Sequence, residues 1–434
     1  MPAALLSRLT ALLLALASLC LAAEVSQLTL LHVNDLHARL LPDENGIGGF
    51  AHLKTAIDRE IETSESALVL HAGDMVQGSP VSTIFEGTPL YEVASEMGFD
   101  AHCLGNHEFD YGWEKIREFE EASGAPIVAA NVTDPDGRHL VRPYVTLDAG
   151  GVQVAVIGAL TPRLPRLIKP VQAGNWVARP LVEGLRSTVE ALAPQADLVV
   201  VLGHLFDDED ELVLRELPEV DVLVGGHDHG GRDEPLVIDG RLGVKLCPYG
   251  RELGRLDLSV DTERGQVISH EWRRIPIRTS LYPADPAVAE LVERWESKVS
   301  NLVDVSVGQC ARPLSRSEIK ALIETALRET TGAEVAYMNR GGVRDSLSAG
   351  TVTARHIWNI LPFDNEIVET ELTGADLQFA PDLSGVLEPD RQYRFVTNDY
   401  VAGLEEYRNL QFRPVGVTLR DAFLEWVKER GRVP

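Results

Sequence analysis

The chain has 434 residues, 44% hydrophobic and 24% charged, a length that suits two domains and a composition that excludes a disordered or fibrous protein. Lysine and arginine total 40 against 66 acidic residues, a formal charge of −26, which argues against a nucleic-acid backbone as partner. An acidic surface also repels phosphate esters at long range, so a site for one needs its own positive charge, from cations or a few placed arginines.

The N-terminus comes first. Arg8 supplies a positive start, Leu9 to Leu21 an apolar stretch too short to span a bilayer, and Ala22 and Ala23 a cleavage site before Glu24. Residues 1–23 read as a signal peptide, and the mature chain is expected to be exported, periplasmic or extracellular, with no stable membrane insertion. Lipidation of Cys20 is the competing reading, disfavoured by the bulk of Leu19 before it. After cleavage Cys103, Cys247 and Cys310 remain, an odd number without a CxxC pair, which reads as small buried apolar residues and neither a disulfide framework nor a thiolate metal site.

The next part of the chain, residues 24–280, repeats one pattern: a short apolar, β-branched run, then at once a polar residue able to bind metal. Leu28–Val33 leads to Asn34, Asp35 and His37; Ala67–Leu70 to His71, Gly73 and Asp74; Ala101–Leu104 to Gly105, Asn106 and His107. Later, Leu198–Leu202 leads to Gly203 and His204, and Val222–Val224 to Gly225, Gly226, His227 and His229. Such runs predict buried strands, with helices over Phe50–Glu62 and Trp113–Ser123 between them. The alternation implies an α/β sheet whose ligands gather at the carboxyl ends of its strands. Val152–Gly158 predicts a further strand, and Arg255–Val260 opens a closing hairpin.

Residues 281–303, with the charged helical stretch Pro286–Asn301, are read as a linker. A second domain over 304–434 is expected to hold a helix near Ser317–Glu329, a strand Val335–Met338 and a glycine-rich turn Asn339–Arg344.

Taken together, Asp35, His37, Asp74, Asn106, His204, His227 and His229 form a set of oxygen and imidazole donors that suits Mn, Zn, Fe, Co or Mg and excludes a thiolate zinc site. The two-residue period of a strand end would put Asp35 and His37 on one face, and likewise His227 and His229. Asp74 can bridge two cations at the ~3.5–4 Å spacing of two-metal hydrolysis. Each piece has a bland alternative: His204 as a core histidine, Asn106 as a turn residue of positive φ. It is the arrival of all seven at one edge of one sheet that favours metal. His32, His52, His71 and His102 are read as structural, and Asp207–Asp210 as a solvated acidic loop.

The runs NDLH (Asn34–His37), GDMVQGSP (Gly73–Pro80), GNHEFDYG (Gly105–Gly112), GH (Gly203–His204) and GGHDH (Gly225–His229) resemble the calcineurin-like metallophosphoesterases. GNHEFDYG and the later NRGGVRDS (Asn339–Ser346) are similar to the 5′-nucleotidase and UDP-sugar hydrolase family. The resemblance implies a four-layer α/β/β/α sandwich followed by a smaller α/β substrate-binding domain. It implies one divalent ion on Asp35, His37, Asp74 and His229 and a second on Asp74, Asn106, His204 and His227. A metal-bound water would attack phosphorus while His107, oriented by Asp110, steadies charge or protonates the leaving oxygen.

In the C-terminal domain the resemblance makes Asn339 and Arg344 the phosphate loop, Arg316 (with Arg312 as competitor) a second arginine, and Phe363 and Tyr400 a sandwich for a base. Core packing is the bland alternative for both rings. The sequence departs from the family here: Gly403-Leu404-Glu405-Glu406-Tyr407 stands where an NGGDG loop is usual, with only Glu406 in place of its Asp, and Leu372–Tyr393 is shortened. The function this implies is hydrolysis of nucleoside 5′-monophosphates or nucleotide sugars, a small-molecule phosphate ester being the partner. Its rivals are a phosphohydrolase of another class, such as a 2′,3′-cyclic phosphodiesterase or a sugar or lipid phosphatase, and a non-catalytic metal-containing surface protein.

Overall fold

The computed structural model describes residues 25–379, 387–404, 407 and 409–434. The signal-peptide reading, Cys20 and Glu406 fall outside the described residues.

In the N-terminal part the apolar runs become strands. These are β1 (Val25–Val33), β2 (Ala67–His71), β3 (Ala101–Cys103), β4 (Ile127–Val128), β5 (Tyr144–Ala149) and β6 (Val152–Leu160). There follow β7 (Leu198–Leu205), β8 (Val222–His227), β9 (Leu236–Ile238), β10 (Arg241–Lys245), and the antiparallel hairpin β11 (Glu252–Asp261) and β12 (Gln266–Pro276). They make two six-stranded sheets, ordered β12-β11-β1-β2-β3-β4 and β9-β10-β8-β7-β6-β5. This corrects the expectation of a single sheet. Strands buried on both faces read as unbroken apolar runs, and such runs carry no sign of which sheet they join.

Side chains that alternate along each strand divide between three layers of core. Leu28, Leu30, Leu68 and Leu70 of the first sheet meet Val154, Val156, Val200, Leu202, Val222 and Val224 of the second. The other face of the first sheet, with Leu31, Val33 and Val69, packs on Phe50, Leu53 and Ile57 of helix α1 (Phe50–Glu62) and Phe119 of α2 (Lys115–Ser123). The other face of the second, with Ala155, Ile157, Val199 and Val201, lies under α3 (Leu181–Leu192) and α4 (Asp207–Glu216). The result is the α/β/β/α sandwich, and each fully buried Val or Leu in it contributes ~1.5–3 kcal/mol.

The acidic run 207–210 is the first turn of α4 and not a solvated loop. Carboxylates favour a helix N-terminus, and here they also meet cations distant in sequence: Asp210 pairs with the buried Lys245 at 2.8 Å and with Arg232 at 2.9 Å.

Helix α5 (Pro286–Val303) starts on Asp285, whose carboxylate accepts the N–H groups of Ala287 and Val288, and lays Val288, Val292, Val299 and Val303 on the first core. Beyond it lie β13 (Ser306–Cys310), α6 (Arg316–Thr331), β14 (Val335–Ala336), β15 (Gly350–Thr353), β16 (Glu366–Thr373), β17 (Gln392–Asn398), β18 (Arg413–Thr418), α7 (Leu419–Arg430) and β19 (Arg432–Val433). They form a three-stranded sheet, β15-β13-β19, and a four-stranded one, β14-β17-β16-β18. Ile319, Ile323, Leu327, Phe423, Trp426 and Val427 fill a separate core, and Trp358 packs against both it and the first one.

Candidate metal centre

The carboxyl ends of β1, β2, β3, β7 and β8 bring Asp35, His37, Asp74, Asn106, His204, His227 and His229 into one place, from both sheets. Apart from His204, which lies within β7, the chain does not reach it by regular extended backbone. Asp35 (φ 50°), His37 (45°), Asp74 (58°), His227 (86°) and His229 (60°) are all left-handed, whereas Asn106 (−75°) is not. Left-handed backbone costs L-residues roughly 1–2 kcal/mol each, so the neighbourhood must impose it. It does so with hydrogen bonds between the loops: the N–H of Asp35 donates to Gly73 O at 3.0 Å, that of His37 to Asp74 O at 3.0 Å, and that of His227 to Asp35 Oδ2 at 2.9 Å.

The donor atoms converge in groups. Asp35, His37 and His229 form one, with 2.9 Å between the Nε2 atoms of the two histidines; Asp74, His204 and His227 form another, with His204 Nε2 3.1 Å from Asp74 Oδ2. His37 also lies near Asp74, at 3.9 Å, so that carboxylate stands between the groups. His204 has its Nδ1 2.8 Å from Ala72 O; donation there turns Nε2 inward, the arrangement by which ligand histidines are oriented. Asn106 Oδ1 is buried with no hydrogen-bond partner among the described residues. An orphaned oxygen among imidazoles and carboxylates is what a divalent cation would satisfy, so the donor set fits the ions the resemblance implies.

Electrostatics agree with that fit. Burial alone would raise the carboxyls of Asp35 and Asp74, but the surrounding histidines outweigh it and hold both well below the usual range. Burial lowers His227 to about 3 and His37 well below its ordinary value, leaving both neutral with a lone pair to give. For His204 burial is outweighed by Asp74, and its pKa rises to about 9; a cation there competes with that proton.

His107 faces the same space. Its Nδ1 is 2.7 Å from Asp110 Oδ2, and its Nε2 is 3.9 Å from Asp74 Oδ2. Burial opposes its protonation, yet Asp110 and Asp74 win and raise its pKa. Gln172 donates to Asp110 O at 2.7 Å and steadies the pair from outside.

The C-terminal residues reach the centre across a cavity of about 520 Å³ lined by His107, Asp110, Lys169, Arg316, Asn339, Arg344, Phe363 and Tyr400, among others. Arg344 Nη2 lies 3.1 Å from His37 Nε2, and Arg316 donates from Nε to Val343 O at 2.6 Å; neither guanidinium pairs with a carboxylate among the described residues. Arg312 is elsewhere, on Glu318. Asn339 Oδ1 accepts from Asn398 Nδ2 at 3.1 Å. Phe363 and Tyr400 both line the cavity: Phe363 stacks on His107 with centroids 5.9 Å apart, and the Tyr400 hydroxyl donates to Arg166 O at 2.9 Å.

Two residues of the site escaped the sequence reading. Lys169 lines the cavity and pairs with Asp399 at 2.6 Å, and no local pattern marks it. Glu108 is fully buried behind the donors; its place beside His107 in GNHEFDYG was the available signal.

Comparison with known proteins points the same way. Residues 28–231 match the family model "Calcineurin-like phosphoesterase" and residues 298–380 the model "5′-nucleotidase, C-terminal domain". The chain is 27% identical over 411 residues to a 5′-nucleotidase of Vibrio cholerae, covering 81% of this chain and 74% of that one. It is 29% identical over 420 residues to a 5′-nucleotidase of Homo sapiens, covering 83% and 72%. In fold it is similar to a 5′-nucleotidase precursor from Thermus thermophilus, with a TM-score of 0.86, 24% identity, and 94% and 97% of the two chains covered. The chain belongs to the 5′-nucleotidase family of metal-dependent, calcineurin-like phosphoesterases.

Proposed function

We propose that the protein hydrolyses nucleoside 5′-monophosphates or nucleotide sugars outside the cytoplasm, at a dinuclear centre closed by its C-terminal domain. The observation that carries the reading is Arg344, a guanidinium free of carboxylate partners among the described residues and set 3.1 Å from His37. In a chain of charge −26, a cation so placed suits a phosphoryl group held against the donor cluster.

Asp35, His37, Asp74 and His229 would hold one divalent ion, and Asp74, Asn106, His204 and His227 the second. Such ions supply charge neutralisation of the phosphoryl oxygens and water of lowered pKa. The chain's own residues do the rest. Arg344, Arg316 and Asn339 orient the phosphate. His107, whose protonation Asp110 and Asp74 favour, holds a proton toward the ester oxygen, which leaves with it as water adds to phosphorus and the P–O bond breaks. Phe363 and Tyr400 offer aromatic faces to the group beyond the phosphate. Export rests on Arg8, the apolar stretch Leu9–Leu21 and the Ala22-Ala23 site; among the described residues no helix is long and apolar enough to cross a membrane.

Family membership sets the non-catalytic reading aside. The reading of another phosphohydrolase class keeps one observation in its favour, the sequence Gly403-Leu404-Glu405-Glu406-Tyr407 where the family usually has an NGGDG loop. A panel of AMP, UDP-glucose, 2′,3′-cyclic nucleotides and an aryl phosphate decides between them. Saturable turnover of AMP or UDP-glucose is expected; turnover of the aryl ester alone would overturn the nucleotide reading.

A further inference from the structure

Glu108 takes no part in the chemistry above, yet its buried carboxylate accepts three backbone N–H groups from two loops. Oε2 accepts from Asp74 at 3.0 Å and Gly105 at 2.8 Å, and Oε1 accepts from Met75 at 2.9 Å. The exchange is reciprocal, because Asp74 Oδ1 accepts the N–H of His107 at 2.9 Å. Each loop thus lends a carboxylate to the other's backbone. The fit leaves no room for a side chain at 105, where a Cβ would lie 2.3 Å from Asp74 Oδ1 and 2.7 Å from Glu108 Oε2.

Three backbone donors on one buried carboxyl group compensate part of the cost of burying it and fix its place. Glutamine is not equivalent: it has one acceptor oxygen, and its NH₂ group would face an N–H that needs an acceptor. We infer that Glu108 is a positioning residue that sets the separation between the Asp74 carboxylate and the Asn106–His107 turn, and so the convergence of the metal-binding donors. The inference rests on the dinuclear reading of the site. Glu108 is not among the proposed ligands; it acts through Asp74, Gly105 and Met75.

The test compares wild type, Glu108→Gln and Glu108→Asp, each stripped of metal and titrated with Mn²⁺ by calorimetry, with circular dichroism and AMP kinetics on the same samples. Residues that orient metal ligands typically contribute 10–100-fold to affinity or activity. Glu108→Gln is expected to bind Mn²⁺ about 10–100-fold more weakly. At saturating Mn²⁺ its kcat should fall while KM stays within about threefold, since the substrate grip lies on Arg344. Glu108→Asp, which keeps the carboxyl group on a shorter stem, should fall between. A variant that only loses thermal stability, with Mn²⁺ affinity and kcat unmoved, would overturn the inference. Should the glutamine variant not fold, wild-type affinity and kcat in Glu108→Asp would overturn it equally. Absence of Mn²⁺ binding by the wild type would instead refute the metal centre, and the role of Glu108 with it.

Discussion

Arg344 and His37 come from opposite ends of the chain, yet their Nη2 and Nε2 atoms lie 3.1 Å apart. The residue proposed to grip phosphate therefore adjoins a residue proposed to hold metal, and the two roles can be separated by mutation. Arg344→Ala is expected to raise KM for AMP at least about tenfold, since hydrogen bonds to charged groups contribute ~1.5–3 kcal/mol each. Bound metal, measured by equilibrium dialysis, should not change. Loss of metal in this variant would show that the division of labour is wrong.

The His107–Asp110 pair carries a second expectation. His107→Ala should lower kcat by ~10²–10⁴-fold, the usual contribution of a placed general acid. Asp110→Asn should cost less, because the ring remains and only its orienting, charge-stabilising carboxylate is gone. Steady-state kinetics check both, and a kcat for His107→Ala within about threefold of wild type would remove it from the mechanism.

How far these residues were legible in the sequence has a physical explanation. Asp35, Asp74, Asn106, His204 and His227 each follow an apolar run, and a buried strand announces itself by such a run wherever it lies. That β1 to β3 belong to one sheet and β7 and β8 to another left no trace in those runs. Nor did the left-handed turns at Asp35, His37 and His227, since positive φ is signalled by glycine or asparagine and here it is imposed by hydrogen bonds between neighbouring loops. The acidic run was misread for a similar reason: Asp210 is buried by Lys245 and Arg232, whose approach depends on β10 lying beside β8. For Glu108 the only signal was its place beside His107 in GNHEFDYG, because its partners are backbone N–H groups, which no residue type advertises.

Stability should carry a pH signature away from the centre. Burial raises the Asp221 carboxyl, which accepts the N–H of Val199 at 2.8 Å, to about 6 from an ordinary 3.8. Between those values the folded chain holds a proton that the unfolded chain has lost, so this group's contribution declines as pH rises through that window and the penalty is complete above it. Asp221→Asn keeps the acceptor without the charge. In urea unfolding at pH 8 it should be more stable than wild type by on the order of 1–2 kcal/mol, with little difference at pH 4. A gain that is the same at both pH values would contradict this account.

Tyr400 separates the ring from its hydroxyl. Tyr400→Phe, which loses only the bond to Arg166 O, should leave KM for AMP within about threefold, whereas Tyr400→Ala should raise it about fivefold or more and leave an aryl phosphate unaffected. Equal effects on both substrates would point to a packing role for the ring.

The central claim is that Asp74 joins two divalent ions in a single hydrolytic site. Its most direct test is to measure, on one preparation of wild type and of Asp74→Asn, the Mn²⁺ bound per chain together with AMP hydrolysis. The account predicts two ions per wild-type chain, and loss of both metal and turnover in the variant. Two tightly held ions and undiminished hydrolysis in Asp74→Asn would contradict it.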